Sequence, residues 1–515
     1  MSAIVTDQFR ILNASNFVDS IESNSYYITL GLANPVAAGY GRTSDWNTNP
    51  PSPTDNLSYA GHTGDTILFG KKITSANVRR IVRRIDWTAG TKYEIYRDDY
   101  SVQNRAPITN AARLYDANYY VMNEDYRVYI CIENGSSGSN PKGNVSQDQP
   151  TFTDLEPSRA GDSGDGYIWK YLFTISPSDI IKFDSTDYIT VPNNWDTSSD
   201  AQIRAMRESG DSTVNENQIK TVYIDDAGGN YANGLGQEMN IIGDGEGGKV
   251  RVDVEGGKIT NTVVVSGGKD YSYALVDLGS INSNSTGTPA HLIPIIPPSR
   301  GHGHDIYREL GTDRVLVYAR FDDSTKDYPV DTNFAQVGIL KNPEQQNSTD
   351  LFTLNEFSSL ESIKLSNSTL VSTTNYVGAA ITQTVNGQIA RGYVASYDSD
   401  TQVLKYFQDR SLNFGDGTTN VDNANVGSEG SRLKFGGTGQ INGQTPSFSV
   451  NIDTGFSGVT TTVNGKIINL GSSFTAGVST SQINKKTGDI IYIDNRTPVS
   501  RDLRQKEDVK IILEF

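Results

Sequence analysis

Lys249-Val250-Arg251-Val252-Asp253-Val254 puts a β-branched apolar residue at every second position, with charged residues between. Side chains alternate faces along a strand, so this pattern predicts a strand with one buried and one wetted face. Tyr126-Arg127-Val128-Tyr129-Ile130-Cys131-Ile132 is a second alternating run, and Asp489-Ile490-Ile491-Tyr492-Ile493 and Val509-Lys510-Ile511-Ile512-Leu513 are two more. Around them Gly, Asn, Asp, Ser and Thr recur between short runs of Val, Ile and Tyr, and the chain holds 49 Gly and 27 Tyr. That texture predicts a mainly β protein with many turns and long loops.

The 515 residues exceed what one core usually serves, so several domains are expected. The net charge of −16 repels nucleic-acid phosphates and anionic membranes. One local exception is the quartet Arg79, Arg80, Arg83 and Arg84, read as ion-pairing with a neighbouring subunit or as solvated, ahead of nucleic-acid binding. The single cysteine, Cys131, allows no intrachain disulfide, which fits assembly in a reducing cytoplasm; on its strand it reads as a small buried hydrophobe. The first residues lack a signal-peptide apolar stretch, and no run of 18 or so apolar residues exists to span a membrane.

Residues 1–33 read as a strand, a short helix capped near Asn13-Ala14-Ser15, and a strand at Tyr26–Leu30. Residues 34–62 and 134–166 read as long loops, and 92–97 and 119–132 as strands. The apolar stretch Tyr167–Ile175 stops at Pro177, and Tyr188-Ile189-Thr190-Val191-Pro192 closes the region. Near residue 220 the composition shifts. Residues 221–234 and 262–274 look like two copies of one unit, each a β-branched strand, a Gly-Gly and a Tyr in a turn. Further strands are expected at 315–320 and 335–340, a hairpin at 392–398 and 403–406, and a turn at Asn495–Pro498 between the two closing strands.

Several collinear segments resemble the gene-eight family of baseplate wedge subunits from T-even-like contractile-tailed phages. They include Ala3-Ile4-Val5-Thr6 with Phe9-Arg10, Asn16-Phe17 with Ser20-Ile21, Pro53-Thr54-Asp55, and Arg83-Arg84 near Asp86-Trp87. Val128-Tyr129 with Cys131 follows, then Gly164-Asp165-Gly166-Tyr167-Ile168-Trp169-Lys170-Tyr171-Leu172-Phe173, the most specific match. Tyr188-Ile189 with Val191-Pro192, Phe334 with Gln336, Asn342-Pro343, Gly488–Arg496 with Pro498, and Ile511–Phe515 complete the series. Ile85, an extra residue between Arg84 and Asp86, departs from the pattern.

The resemblance implies a β-sandwich core with long excursions, divided here as 1–219, 300–360 and 481–515. Two small β-modules, 220–299 and 361–480, are read as insertions into it. These additions and the low cysteine count look like marine cyanophage relatives. The resemblance further implies a non-enzymatic structural protein of the virion tail baseplate, assembled in the host cytoplasm. It implies a homodimer that connects neighbouring wedge proteins, the gene-six, gene-seven and gene-ten products, with no catalytic residue and no cofactor. The surplus of Tyr and apolar strand residues gives dimerisation an independent motive.

Other chemistry competes with bland readings. Gly301-His302-Gly303-His304-Asp305 could place two imidazoles and a carboxylate around a metal, against a Gly-permitted turn in which His302 bonds a carbonyl. Asp162 and Asp165 lack calcium-loop spacing and read as Asx-turns. Gly243–Lys249 lacks the Ser/Thr and the helix of a phosphate loop. The turn reading is preferred for the first two and the phosphate loop is rejected, so no metal site is expected. The rival functional class is a host-glycan-binding or depolymerase-type tail protein, with Tyr231, Tyr271 or Tyr273 as sugar platforms.

Overall fold

The computed structural model describes residues 6–31, 50, 52–53, 55, 57–210, 217–281, 287–321, 333–366, 369–371, 374, 376, 378–408, 433–500 and 506–515. The chain is mostly β, in several antiparallel sheets with a few short helices. Its contacts divide it into two units: Met1–Val18, Arg79–Leu316 and Ile511–Phe515 form one, and Asp19–Val78 and Val317–Lys510 the other.

In the first unit the strands Tyr120–Met122, Arg127–Asn134 and Tyr167–Thr174 form an antiparallel sheet with Tyr129 opposite Tyr171 and Cys131 opposite Trp169. Both faces are covered, and the strands are buried nearly throughout. Tyr93, Tyr96, Tyr119, Trp195 and Met206 pack in the same core. Residues 92–97, expected as a strand, pair with no ladder. The Tyr96 N–H does reach the Cys131 carbonyl (2.8 Å), but the Tyr93 N–H donates to the Tyr167 hydroxyl (2.9 Å). The Glu94 carboxylate meanwhile gathers the N–H groups of Ile108, Thr109 and Asn118. Side-chain acceptors and donors thus take the place of a neighbouring strand.

Residues 249–254 lie in Glu246–Glu255, which pairs with Gly234–Gly243 on one side and Lys258–Lys269 on the other. Val250, Val252 and Val254 all point into a core with Met239, Ile241 and Ile259. The strand Ala274–Val276 completes this sheet, and Val222–Asp226 pairs separately with His291–Pro294. The two look-alike segments are not equivalent. Gly228-Gly229 follows its strand in a bend, whereas Gly267-Gly268 lies inside Lys258–Lys269. A Cβ on Gly267 would sit 2.4 Å from the Ile219 carbonyl, so that glycine answers a close backbone approach.

The helix expected near Asn13 is longer and starts earlier, spanning Asp7–Ser23. The Thr6 hydroxyl accepts the Phe9 N–H (3.3 Å), so Thr6 caps it and Asn13 sits mid-helix. The strand read before it, with Ala3-Ile4-Val5, falls outside the described residues, as do 32–49 of the expected loop and Thr54. The end of that loop is the helix Leu57–Thr66.

The second unit holds a five-stranded antiparallel sheet in the order Glu356–Ser358, Ile67–Ile73, Tyr26–Gly31, Asn333–Lys341, Asp489–Ser500. Tyr26–Gly31 is buried at every position because it is central. Asn495–Pro498 is not a turn; it lies inside Asp489–Ser500, with the Asn495 amide oxygen accepting from Gln336 Nε2 (2.8 Å). Pro498 is tolerated there because the strand is at the sheet edge and needs no outward donor.

Residues 361–452 close a barrel. Its circuit runs Glu361–Ser366, Val403–Phe407, Gln388–Asp398, Ala380–Val385, Ile441–Gln444, Phe448–Ile452 and back to the first strand, with Leu365 opposite Ile452. Closure leaves no sheet edge, and Ile363, Ile381, Val394, Leu404, Tyr406 and Phe435 fill the interior. Beside it Gly458–Val463 and Lys466–Phe474 form a separate hairpin.

Ending the chain after Asn484 removes Asp489–Ser500 and bares the long edge of Asn333–Lys341, whose residues from Phe334 to Leu340 are buried. Such a truncated chain is expected in the insoluble fraction on expression, and its recovery as a soluble species with an unchanged melting transition would refute the assignment.

Candidate functional site

The Gly301–Asp305 segment folds so that its three potential ligands diverge. His302 is 2% exposed, and its Nδ1 lies 2.5 Å from Glu309 Oε1, a carboxylate fully buried. The other Glu309 oxygen accepts the Gly303 N–H (2.7 Å). The Tyr96 ring meets the His302 ring edge-on at 4.9 Å. The expected carbonyl partner belongs instead to His304, whose Nδ1 is 3.1 Å from the Arg207 carbonyl. Asp305 accepts the Arg308 N–H and caps the short helix Ile306–Leu310. Gly301 and Gly303, at φ +87° and +88°, permit the reversal, and a Cβ on Gly301 would collide with the Gly210 carbonyl at 2.1 Å. Among the described residues no three His, Cys, Asp or Glu side chains are grouped to hold a metal.

The arginine quartet is engaged inside its own chain, contrary to the reading that neighbours or solvent take it. Arg79 pairs with Asp179 (2.9 Å) and lies over the Phe183 ring. Arg80, nearly buried, bonds Asn193 and lies 4.2 Å from the centre of the Tyr307 ring. Arg83 donates to the Tyr115 and Ala117 carbonyls, and Arg84 pairs with Asp86 and Asp184. Guanidinium groups consumed this way are not presented to a phosphate backbone.

Other singled-out residues fall into place as structure. Asp165 accepts the Tyr167 N–H two residues on, an Asx-turn, and the Gln147 N–H with its other oxygen. Gly243–Lys249 joins two antiparallel strands rather than a strand and a helix. Its Asp244 accepts the Ser272 hydroxyl and two N–H groups, which hold that carboxyl down at about 2. Cys131 is a buried free thiol, and burial pushes its pKa well up, away from reactivity. Tyr231 and Tyr271 are buried in the core of the module, where their hydroxyls accept the Ala290 and Gly248 N–H groups. Of the three tyrosines read as sugar platforms only Tyr273 is exposed, at 61%.

Lys170 was not singled out from the sequence for its charge, because a lysine flanked by aromatic residues gives no sign of its partners. It is fully buried, with Nζ 2.6 Å from the Leu155 carbonyl and 3.2 Å from the Ser209 hydroxyl. Burial, helped by Lys220 and opposed by Glu156 and Glu309, lowers its pKa to about 8. Below that pH the folded state bears the cost of a buried ammonium, about 3 kcal/mol. As pH rises above about 8 the folded protein sheds this proton while the unfolded chain keeps it, so stability climbs. Above about 10 buried tyrosines such as Tyr96 and Tyr119, whose pKa burial raises, reverse the trend, because unfolded tyrosines ionise first.

Urea titrations at intervals from pH 8 to 10 should show wild-type stability rising. In Lys170→Met the rise should shrink to the residue left by Lys364, whose pKa burial also lowers. An equal slope in both proteins would contradict the account. A second expectation concerns metal: the melting temperature should be the same with and without EDTA, and a drop on chelation, or stoichiometric zinc in the purified protein, would overturn the reading of His302 and His304.

No described helix is long and apolar enough to cross a membrane. A family model described as bacteriophage T4 Gp8 matches residues 131–230. The baseplate wedge protein gp8 of Enterobacteria phage T4 is 27% identical over 219 residues, covering 37% of this chain and 60% of the relative. This chain therefore spans about 60% of the length of the curated relative it matches. The matched stretch takes in Arg127–Asn134 from Cys131 onward, all of Tyr167–Thr174 with the Gly164–Phe173 motif, and the first strand of the 220–299 module. On these matches the chain is similar, at modest identity, to the gene-eight baseplate wedge proteins.

Proposed function

We propose that this chain is a structural subunit of a contractile-tail baseplate wedge, working as a homodimer that joins neighbouring wedge proteins. The observation that carries the reading is the family match over residues 131–230, which falls on the best-buried sheet of the first unit. The relative's name supplies the role: it is a baseplate wedge protein. The partners this reading implies are the gene-six, gene-seven and gene-ten products, and the place is the virion tail, assembled in the host cytoplasm. It assigns no catalytic residue, cofactor or metal. The internal use of the arginine quartet, His302, Glu309 and Lys170 supports a scaffold role, since such groups hold the fold and face no substrate.

The reading also keeps the domain map, with 1–219, 300–360 and 481–515 as the family framework and 220–299 and 361–480 as additions. The separate core of the 220–299 strands and the closed barrel within 361–480 support it. Insertions of this kind are tolerated because closure entropy grows slowly with loop length. The depolymerase alternative draws no support from the tyrosines first read as sugar platforms, two of which are core residues.

Sedimentation velocity at micromolar concentration should show a species of twice the 56.1 kDa chain mass before any wedge partner is added. A monomer alone would overturn the dimer. Placement of the chain outside the baseplate in reconstructions of the intact particle would overturn the function.

A further inference from the structure

The hairpin of Gly458–Val463 and Lys466–Phe474 is a sheet of only two strands. Its turn, Asn464-Gly465, has φ +49° and +76°, as the turns favoured by two-residue hairpins require. One face, with Thr461, Val463, Ile468 and Leu470, is half-buried. The other, with Thr460, Thr462 and Ile467, is exposed, Ile467 at 77%. Two strands alone are marginal, and an independently stable sheet needs three or more. Among the described residues Gly458–Val463 pairs only with Lys466–Phe474, so its outer edge is open.

Alternate residues of an antiparallel strand turn their N–H and C=O groups toward and away from the partner. Counting from the turn, where Val463 faces Lys466, those of Thr460 and Thr462 turn outward. Exposed edges are ordinarily blunted by charge or proline. Two other long strands at sheet ends follow that rule: Asp489–Ser500 carries Asp494, Arg496 and Pro498, and Glu507–Glu514 carries Asp508 and Lys510. From Thr454 to Asn484, by contrast, Lys466 is the one charged residue, and it sits beside the turn. An edge unguarded along its whole length is suited to receive a strand.

The edge's own sequence says which strand. Val459-Thr460-Thr461-Thr462-Val463 reads the same in both directions. A two-fold axis at Thr461 sets a second copy antiparallel, with Val459 opposite Val463 of the partner subunit, Thr460 opposite its Thr462, and Thr461 opposite its own copy. The Thr460–Thr462 pairs fall where both residues turn N–H and C=O outward, so each pair exchanges two backbone hydrogen bonds. Threonine pairs across strands are favourable, and no charge meets its own copy. Two chains of net charge −16 repel as wholes, so contact is least opposed at a stretch without acids. We propose that this hairpin is an interface between two copies of the chain, joined edge to edge along Val459–Val463 into one four-stranded sheet. This interface rests on the homodimer proposed above and gives that dimer a surface.

Sedimentation velocity of the full chain over a concentration series at low salt tests it. Thr460→Lys with Thr462→Lys sets lysine against lysine in both central pairs, and Thr460→Glu with Thr462→Glu sets glutamate against glutamate. The dimer dissociation constant should rise about tenfold or more in either variant alone. An equimolar mixture of the two variants should return it to the wild-type range, which also shows that both are folded. A wild-type dimer whose dissociation constant is unmoved in the lysine variant, or a mixture no tighter than either variant alone, would overturn this interface and leave the homodimer standing. A monomeric wild type would sink both.

Discussion

A carboxylate that is wholly buried has to be bonded from every side or the fold fails, and Glu309 is where the first unit meets that demand. One oxygen is held by His302 and the other by the Gly303 N–H, while the Glu309 carbonyl accepts the Tyr119 hydroxyl at 2.6 Å. The loop that delivers His302 is pinned in turn by Trp195, whose indole N–H is shared between the Gly303 and His304 carbonyls. Three separate stretches, around Tyr119, Trp195 and His302, thus converge on one short helix, Ile306–Leu310. The helix ends at Gly311, where φ is +69° and the Tyr115 ring leaves no room for a Cβ. Removing Glu309 would strand an imidazole and an N–H in a dry core, a larger penalty than deletion of one surface pair.

The same logic explains the tyrosines. Their number suggests an apolar surface waiting for a partner, and that was one motive for a dimer. Many instead act as internal struts. The hydroxyls of Tyr27, Tyr119, Tyr120, Tyr129, Tyr167 and Tyr307 each bond a backbone carbonyl in a loop or at an element end. A protein with long irregular segments buries many carbonyls that no ladder satisfies. A phenol reaches across a core, buries a large apolar ring and satisfies one of them with a bond contributing about 1 kcal/mol. The tyrosine surplus therefore carries less weight for dimerisation than the family match does.

Legibility followed the range of the interactions. The Val250–Val254 alternation and the hairpin joining Gln388–Asp398 to Val403–Phe407 were readable because period-two burial and local pairing are written in neighbouring residues. The Gly164–Phe173 motif was readable as a resemblance to the gene-eight proteins, and it leads into the strand Tyr167–Thr174 in the core of the first unit. The helix start was misplaced because Asn13 and Thr6 are both good caps by type, and only burial of Ile11, Ala14, Val18 and Ile21 on one face selects the earlier one. Residues 92–97 looked like a strand because Tyr93, Ile95 and Tyr96 are buried, yet their hydrogen bonds go to side chains and to single carbonyls distant in sequence.

The site residues were the least legible, for a physical reason. His302, Asp305 and the arginine quartet were picked out as residue types capable of metal or phosphate chemistry, and type says nothing about what else the fold brings to them. Glu309 is seven residues from His302 and lies across a helix turn that had not been read; Asp179 is far from Arg79 in sequence. Each pairing neutralises a charge that local sequence leaves open. A charged residue in a motif is therefore weak evidence of chemistry until its partners are known.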